Sequence, residues 1–182
     1  MNEQKKYEFT GEIKVVFGIN FKQIRAIINF GCVVAGEIGG WIEKEENLSQ
    51  SGDAWVYGDA KVSGNAKVSG NAKVSGNAWV SGNAKVSGNA KVSGNAWVSG
   101  DAEVKKDDDY MVIGGAGRYN RFTTFFKCRD KTIKVVCGCF FGTIIEFRAK
   151  VKETHKGNKH EKVYLAMADM AELQIGNDEV EK

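Results

Sequence analysis

GDAWVY-GDAKVS-GNAKVS-GNAKVS-GNAWVS-GNAKVS-GNAKVS-GNAWVS-GDAEVK, residues 52–105 of a 182-residue chain, is nine hexapeptides without a gap. A fixed short period means a solenoid, in which each unit buries its apolar face only by stacking on its neighbours. Six residues make one flat side of a β-helix and three sides make one coil. Residues 18 apart then lie one above another, separated by about 4.8 Å, the spacing of paired strands. The expected core is a narrow prism filled by Val and Ala, with columns such as Val56, Val74 and Val92 or Ala54, Ala72 and Ala90. The Gly-Asn and Gly-Asp pairs are the corners, because Gly accepts positive φ and Asn and Asp tolerate the left-handed region.

The residue before each Val points away from the prism, and here the repeats differ. One column reads Lys61, Trp79, Trp97; a second Trp55, Lys73, Lys91; the third Lys67, Lys85, Glu103. Exposed aromatics beside lysines can stack a base or clamp a partner. The same residues can instead be the floor on which terminal modules or a sister subunit dock. Trp55, Trp79, Trp97 and Lys61 are therefore the expected interface. Three regular coils bury little apolar area against the entropy of ordering them. A homo-oligomer is expected for that reason, with a trimer favoured. The stacked Lys73/Lys91 and Lys67/Lys85 pairs are expected to face solvent or an anion.

The repeats divide the chain into three. Residues 1–38 read as a β-hairpin module: an alternating strand over 7–17, a turn at Gly18-Ile19-Asn20, and a return over 21–30 with Ile24, Ala26, Ile28 and Phe30 on one face. Residues 39–106 are the β-helix, opened by an irregular coil. Residues 107–182 form an α+β module. A short strand over 110–113 leads into a glycine-rich loop over 114–121. Strands over 122–128 and 132–140 make a hairpin around Asp130-Lys131. Thr143 and Glu146 form a capping box that opens a helix running to about His155. Asn158 and Glu161 repeat the signal for a second helix to about Ile175. Ile144, Phe147 and Val151 give the first helix an apolar stripe; Val163, Met167 and Met170 do so for the second. The fold class is mainly β: a left-handed parallel β-helix with a β-hairpin module before it and an α+β module after it.

Composition narrows function. The formal charge is +3; such a mild excess does not point to nucleic acid as the partner. No stretch is long and apolar enough for a membrane span, and the amino-terminal MNEQKKYEF lacks the apolar region of a signal peptide. The expected location is the cytoplasm. Cys32, Cys128, Cys137 and Cys139 are then free thiols. The Cys-x-Cys spacing at 137–139 is not that of a zinc site, and alternation places Val135, Cys137 and Cys139 on one strand face as buried small hydrophobes. No metal and no cofactor is expected.

The candidate ligand site is the loop 114–121. Gly114, Gly115 and Gly117 expose backbone N–H groups, Arg118 and Arg121 add guanidinium charge, and Lys134 can reach in from the next hairpin. Together they suit a phosphate. An enzyme needs more. Hexapeptide acyltransferases use a histidine on or near a coil as general base, whereas both histidines here, His155 and His160, lie at the junction of the predicted helices.

Two stretches carry a resemblance. One runs from Ile24-Arg25-Ala26-Ile27 through Gly36-Glu37-Ile38-Gly39-Gly40-Trp41-Ile42-Glu43 to Asn47-Leu48-Ser49. The other runs from Thr123-Thr124-Phe125-Phe126 through Val135-Val136-Cys137-Gly138-Cys139-Phe140 to Gly142-Thr143 and Thr154-His155. Joined by the repeats, they resemble a widespread group of phage and prophage proteins called hexapeptide-repeat or polymer-forming proteins. The resemblance implies a left-handed β-helix flanked by small modules, a gene carried by phage, and work in the host cytoplasm. Arg118-Tyr119-Asn120-Arg121 departs from the Ser-Arg-Asn-Asp pattern of that group. The expected function is a non-enzymatic counter-defence protein that sequesters a host immune component, first a nucleotide-like signal. The alternatives are a protein inhibitor of a host defence complex such as a CRISPR or nuclease assembly, an acyltransferase, and a structural virion or filament part.

Overall fold

The six-residue period becomes a parallel β-solenoid in the computed structural model, which describes residues 5–117 and 119–176. Each hexapeptide contributes one two-residue strand: β4 (Trp55–Val56), β5 (Lys61–Val62), β6 (Lys67–Val68), β7 (Lys73–Val74), β8 (Trp79–Val80), β9 (Lys85–Val86), β10 (Lys91–Val92), β11 (Trp97–Val98) and β12 (Glu103–Val104). Every pairing is to the strand 18 residues on, as in Lys61↔Trp79↔Trp97 and Lys67↔Lys85↔Glu103. The Val and Ala of all nine repeats are buried. Asn side chains form ladders up the corners, Asn65 to Asn83 to Asp101, Asn71 to Asn89 and Asn77 to Asn95. At these corners glycine is obligatory. Gly82 has φ +66°, and a Cβ there would lie 2.8 Å from the Gly100 nitrogen one coil away.

The coils have a direction. The N–H groups of the residues before and after each core Val donate to carbonyls of the next coil, as in Trp55 N–H to Ala72 O at 3.0 Å and Tyr57 N–H to Val74 O at 2.8 Å. The first regular coil presents carbonyls such as those of Gly52 and Ala54 at its open end, and the last presents N–H groups such as those of Ser93 and Trp97. Both sets must be satisfied.

At the first end, β3 (Ile38–Ile42) pairs in parallel with β5, and Leu48 bridges to Val68, so an irregular coil covers two faces. Asn47 turns the corner between them, its amide donating to Gly64 O (3.1 Å) and Ala66 O (2.8 Å). The third face is closed by Lys6, 2% exposed, whose ammonium donates to Gly52 O (3.1 Å) and Ala54 O (2.8 Å). The hairpin β1 (Tyr7–Val16) and β2 (Ile19–Ala26) pairs antiparallel onto β3. It thereby extends one solenoid face into a six-stranded sheet, β1-β2-β3-β5-β8-β11. The return strand ends at Ala26 rather than at residue 30; Ile28 and Phe30 are half-buried beyond it.

Trp55 does not belong to a free outer surface. It points away from the prism as the period requires, but it is fully buried. Tyr7 and Phe30 meet it edge-on at 6.1 and 5.4 Å. Gly39 passes so close that a Cβ would stand 2.6 Å from the indole.

At the other end, β13 (Tyr110–Ala116), β14 (Arg121–Lys127), β15 (Ile133–Cys137) and β16 (Phe140–Thr143) form an antiparallel meander. Its strands alternate between two cores. Tyr110, Phe126 and Val136 face the solenoid; Phe125 and Val135 face the helices α1 (Ile144–His155) and α2 (Lys159–Ile175). Both helices begin where their caps predict, with Thr143 and Glu146 bonded reciprocally and Asn158 accepting from His160 N and Glu161 N. Ile144, Phe147 and Val151 are buried as expected, but the α2 stripe is Tyr164, Met167, Ala168, Ala171 and Ile175. Met170 is 55% exposed, because the buried face of α2 is rotated away from it.

Two local readings change. The strand β13 runs through Gly114 and Gly115, so the loop is shorter than the glycines suggest. Cys137 ends β15, and Gly138, at φ +62°, makes the turn to Phe140. Cys139 is thus exposed in a turn, not buried on a strand face, and Cys32 is exposed as well; all four thiols are free. Among the described residues no helix is long and apolar enough to cross a membrane.

Candidate ligand pocket

The meander and the two helices enclose a cavity of about 570 Å³. Its walls are Tyr119, Arg121, Cys137, Cys139, Phe140, Phe147, Lys150, Val151, Thr154, His155 and Tyr164. The aromatic lining follows from strand alternation: positions facing the helices on β14–β16 and inward positions on α1 and α2 converge. Phe147 lies 5.5 Å from Phe140 and meets Tyr164 edge-on at 5.9 Å. The His155 ring stacks on Tyr164 at 5.4 Å and lies 5.8 Å from His160.

The polar groups are few. Arg121 holds its guanidinium 5.1 Å from the centre of the Tyr119 ring. Gly138 makes room for it, since a Cβ there would lie 2.5 Å from Nη1. Lys150 is paired with the exposed Glu153 at 2.8 Å. Thr123 donates to the Cys137 thiol at 3.2 Å. Burial pushes the Tyr164 phenol up to about 12, with the neighbouring Cys137 adding to the rise and Arg121 opposing it. Tyr164 therefore stays a neutral hydroxyl at physiological pH. The result is an apolar, ring-lined cleft with cationic side chains on its wall, which suits a planar ligand carrying an anionic group.

The sequence-predicted site residues separate. Arg121 is in the cleft. Gly114 and Gly115 sit at a register shift in β13, where a Cβ on Gly114 would run into the Phe122 ring. A Cβ on Gly117 would collide with the Tyr164 hydroxyl, so this glycine serves the packing of the cleft wall. Arg118 lies outside the described residues. Lys134 is on the opposite face of the sheet from Arg121, its ammonium 5.6 Å from the Phe141 ring. It does not join Arg121, because neighbouring strand residues point to opposite faces.

The outer tryptophan column is a stack. Phe17 lies over Trp79 at 5.8 Å, and Trp79 over Trp97 at 5.4 Å, both nearly parallel. Phe21 closes on Trp79 edge-on. Trp79 is half-buried by the hairpin, Lys61 sits half-buried above it, and Trp97 remains 40% exposed. Burial lowers the Lys61 ammonium from its ordinary range.

Sequence reasoning missed Phe140, Phe147, Lys150, Thr154 and Tyr164 as cleft residues. Phe147 was read on the apolar stripe of the first helix, and Tyr164 left a signal as well. The spacing Tyr164, Ala168, Ala171, Ile175 is a helical face one position away from the one read. Among the described residues no three His, Cys, Asp or Glu side chains gather as metal ligands.

Comparison with known proteins finds a family match in the solenoid. The family model "YdcK Beta solenoid repeat" matches residues 66–82 and 84–100. The two matches start 18 residues apart, so each covers one coil. A 36-residue stretch is 50% identical to the "Uncharacterized acetyltransferase YdcK" of Escherichia coli (strain K12), covering 20% of this chain and 11% of that protein. These matches support a repeat-containing β-solenoid.

Proposed function

We propose that the chain is a non-enzymatic binding protein whose C-terminal cleft holds a planar, phosphorylated, nucleotide-like ligand and releases it unchanged. The observation that carries this reading is the meeting of Arg121 with the rings of Tyr119, Phe140, Phe147 and Tyr164 around one cavity of about 570 Å³. Rings stack a base and a guanidinium forks onto a phosphate. The cavity volume is within the range of sites for ligands of that size. The phage resemblance supplies the setting: sequestration of a host immune signal.

Calorimetric titration with purine mononucleotides and cyclic dinucleotides tests it. Arg121→Ala should weaken the bound nucleotide by about 1.5–3 kcal/mol, the worth of a hydrogen bond to a charged group. Heating the complex should return the ligand intact, as judged by mass spectrometry. Titrations silent for every nucleotide would sink the reading and leave a protein-binding inhibitor, which a pull-down from infected-cell lysate would reveal.

A second reading, acetyl transfer, draws on the name of the YdcK relative. It predicts consumption of acetyl-CoA. Against it stand the positions of His155 and His160, which lie on the helices at the far side of the meander from the coils, away from where a solenoid acyltransferase places its base.

A further inference from the structure

The connection between β2 and β3 brings together a cysteine, a lysine and a tyrosine from three parts of the chain. Phe30 and Val33 exchange both backbone hydrogen bonds, at 3.1 and 2.8 Å, so Gly31 and Cys32 form a two-residue turn. The turn is fixed from beneath. Phe30 packs on Trp55, Val33 is 2% exposed, and Gly31 sits so near Asp53 that a Cβ would be 3.0 Å from its side chain. Cys32 stands exposed at the tip. Its sulfur is 2.9 Å from the Lys73 ammonium, which arrives from β7, and 3.4 Å from the Tyr57 hydroxyl, which arrives from a solenoid corner. Glu37 is the other charged group bearing on Tyr57.

We propose that Cys32, Lys73 and Tyr57 form a peroxide-reactive site, in which an ammonium and a phenol hold an accessible thiolate ready for two-electron oxidation. The nucleophile and the group that reacts with oxidants is the thiolate, not the thiol, and neighbouring cations favour it. The hydrogen bonds from Lys73 and then Tyr57 hold the Cys32 thiol below its ordinary range, which agrees with the geometry. The step balances simply. The Cys32 thiolate attacks one oxygen of hydrogen peroxide, the S–O bond forms as the O–O bond breaks, and hydroxide leaves. Sulfur is oxidised by two electrons to the sulfenic acid and peroxide is reduced; the hydroxide takes a proton from solvent. The ammonium beside the sulfur stabilises the anion before attack. The phenol, raised by burial and by its bond to Cys32, stays protonated and acts as donor.

The molecule carries its own control. Cys139 is also exposed, in the 137–140 turn, but has no hydrogen-bonding ammonium among the described residues. The intact protein is treated at pH 7 with hydrogen peroxide in the presence of dimedone, which traps sulfenic acids, and tagged peptides are followed by mass spectrometry. Cys32 should be tagged about tenfold faster than Cys139, the order of gain expected when a cation raises the thiolate fraction. Lys73→Met should bring Cys32 close to the Cys139 rate, whereas Lys73→Arg, which keeps the charge, should restore most of it. Tyr57→Phe should give an intermediate rate. Equal tagging of Cys32 and Cys139 in the unmodified protein overturns the proposal without any variant. An undiminished Cys32 rate in Lys73→Met overturns it too, with a thermal melt confirming that the variant is folded.

Discussion

Replacing Lys6 by methionine keeps an aliphatic stem of similar length and removes the ammonium that closes the first solenoid face. The structure sets two opposing terms. The charge is 2% exposed, and burial lowers the Lys6 ammonium from 10.5 to about 8, with Asp53 opposing the fall. Against that cost, Nζ donates to the carbonyls of Gly52 and Ala54 and lies 4.8 Å from the Phe30 ring centre. Without Lys6 both buried carbonyls lose their partner, at about 1–3 kcal/mol each, so Lys6→Met should lose roughly 2–4 kcal/mol at pH 7 after the burial cost is recovered. The pH dependence separates the terms. The folded value lies below the unfolded one, so between pH 8 and 10.5 the unfolded chain holds more protons and wild-type stability rises with pH. From pH 7 to pH 10 this gain should be about 2 kcal/mol, since one unit of difference is worth about 1.4 kcal/mol. The neutral amine can still donate both hydrogen bonds. Urea unfolding followed by tryptophan fluorescence reads the relevant end, because Trp55 lies under the same module. The stability gap between wild type and Lys6→Met should widen from pH 7 to pH 10 by that amount. A gap that stays constant, or a variant as stable as wild type at pH 7, would refute the capping role.

Three further outcomes are expected. Val80→Asp places a carboxylate in a prism lined by Val and Ala and should unfold the repeats, while Lys85→Ala, on an exposed face, should change stability by less than about 0.5 kcal/mol; circular dichroism melts compare them. Trp97→Ala removes the 40% exposed end of the aromatic stack and should lower the assembly mass measured by light scattering without loosening the hairpin held by Trp79. A wild type that is monomeric at micromolar concentration would overturn that. Arg121→Ala should leave the melting temperature within a few degrees of wild type while lowering nucleotide affinity, because its guanidinium sits at the cleft wall and not in a core.

The coil pairing, the caps of both helices and the burial of every repeat Val were legible because each depends on residues close in sequence or on a strict period. Thr143 and Glu146 announce a helix start whatever surrounds them. The errors arose where a non-local contact or a single glycine overrides a pattern. The alternation of Val135, Cys137 and Cys139 continues on paper through Gly138, but that residue adopts φ +62° and turns the chain, which exposes Cys139. Trp55 is a different case: it obeys the period and points outward, and Tyr7 and Phe30, distant in sequence, cover it as a floor under the amino-terminal module. Arg121 was legible as a charged residue near glycines. Its partners in the cleft come from β16, α1 and α2, and nothing local to residues 114–121 encodes their convergence.

The open backbone groups at the ends of the solenoid are matched by residues that the terminal modules bring to them. Open carbonyls at an end are closed by donors, and open N–H groups by acceptors. At the first end the carbonyls of Gly52, Ala54, Gly64 and Ala66 meet an ammonium and an amide, Lys6 and Asn47, while the Glu43 carboxylate accepts from Gly64 N at 2.6 Å. At the last end the open N–H groups meet carboxylates and hydroxyls, and the Tyr110 hydroxyl also donates to Lys91 O at 2.9 Å. Asp107 accepts from Lys91 N at 2.7 Å, the Tyr110 hydroxyl from Ser93 N at 3.2 Å, the Thr124 hydroxyl from Trp97 N at 3.0 Å, and Asp109 from Lys105 N and Lys106 N at 2.7 and 3.0 Å. The acidic run Asp107-Asp108-Asp109, which reads in sequence as a break in rhythm, is thus part of the closure of the solenoid. The same closure holds the C-terminal module in place. Tyr110 and Thr124 belong to β13 and β14, and β14, which caps a coil through Thr124, also carries Arg121 on the wall of the cleft. Binding in the cleft and the integrity of the last coil therefore share a sheet, and a ligand that tightens the meander should protect the amides of Ser93 and Trp97 from hydrogen exchange.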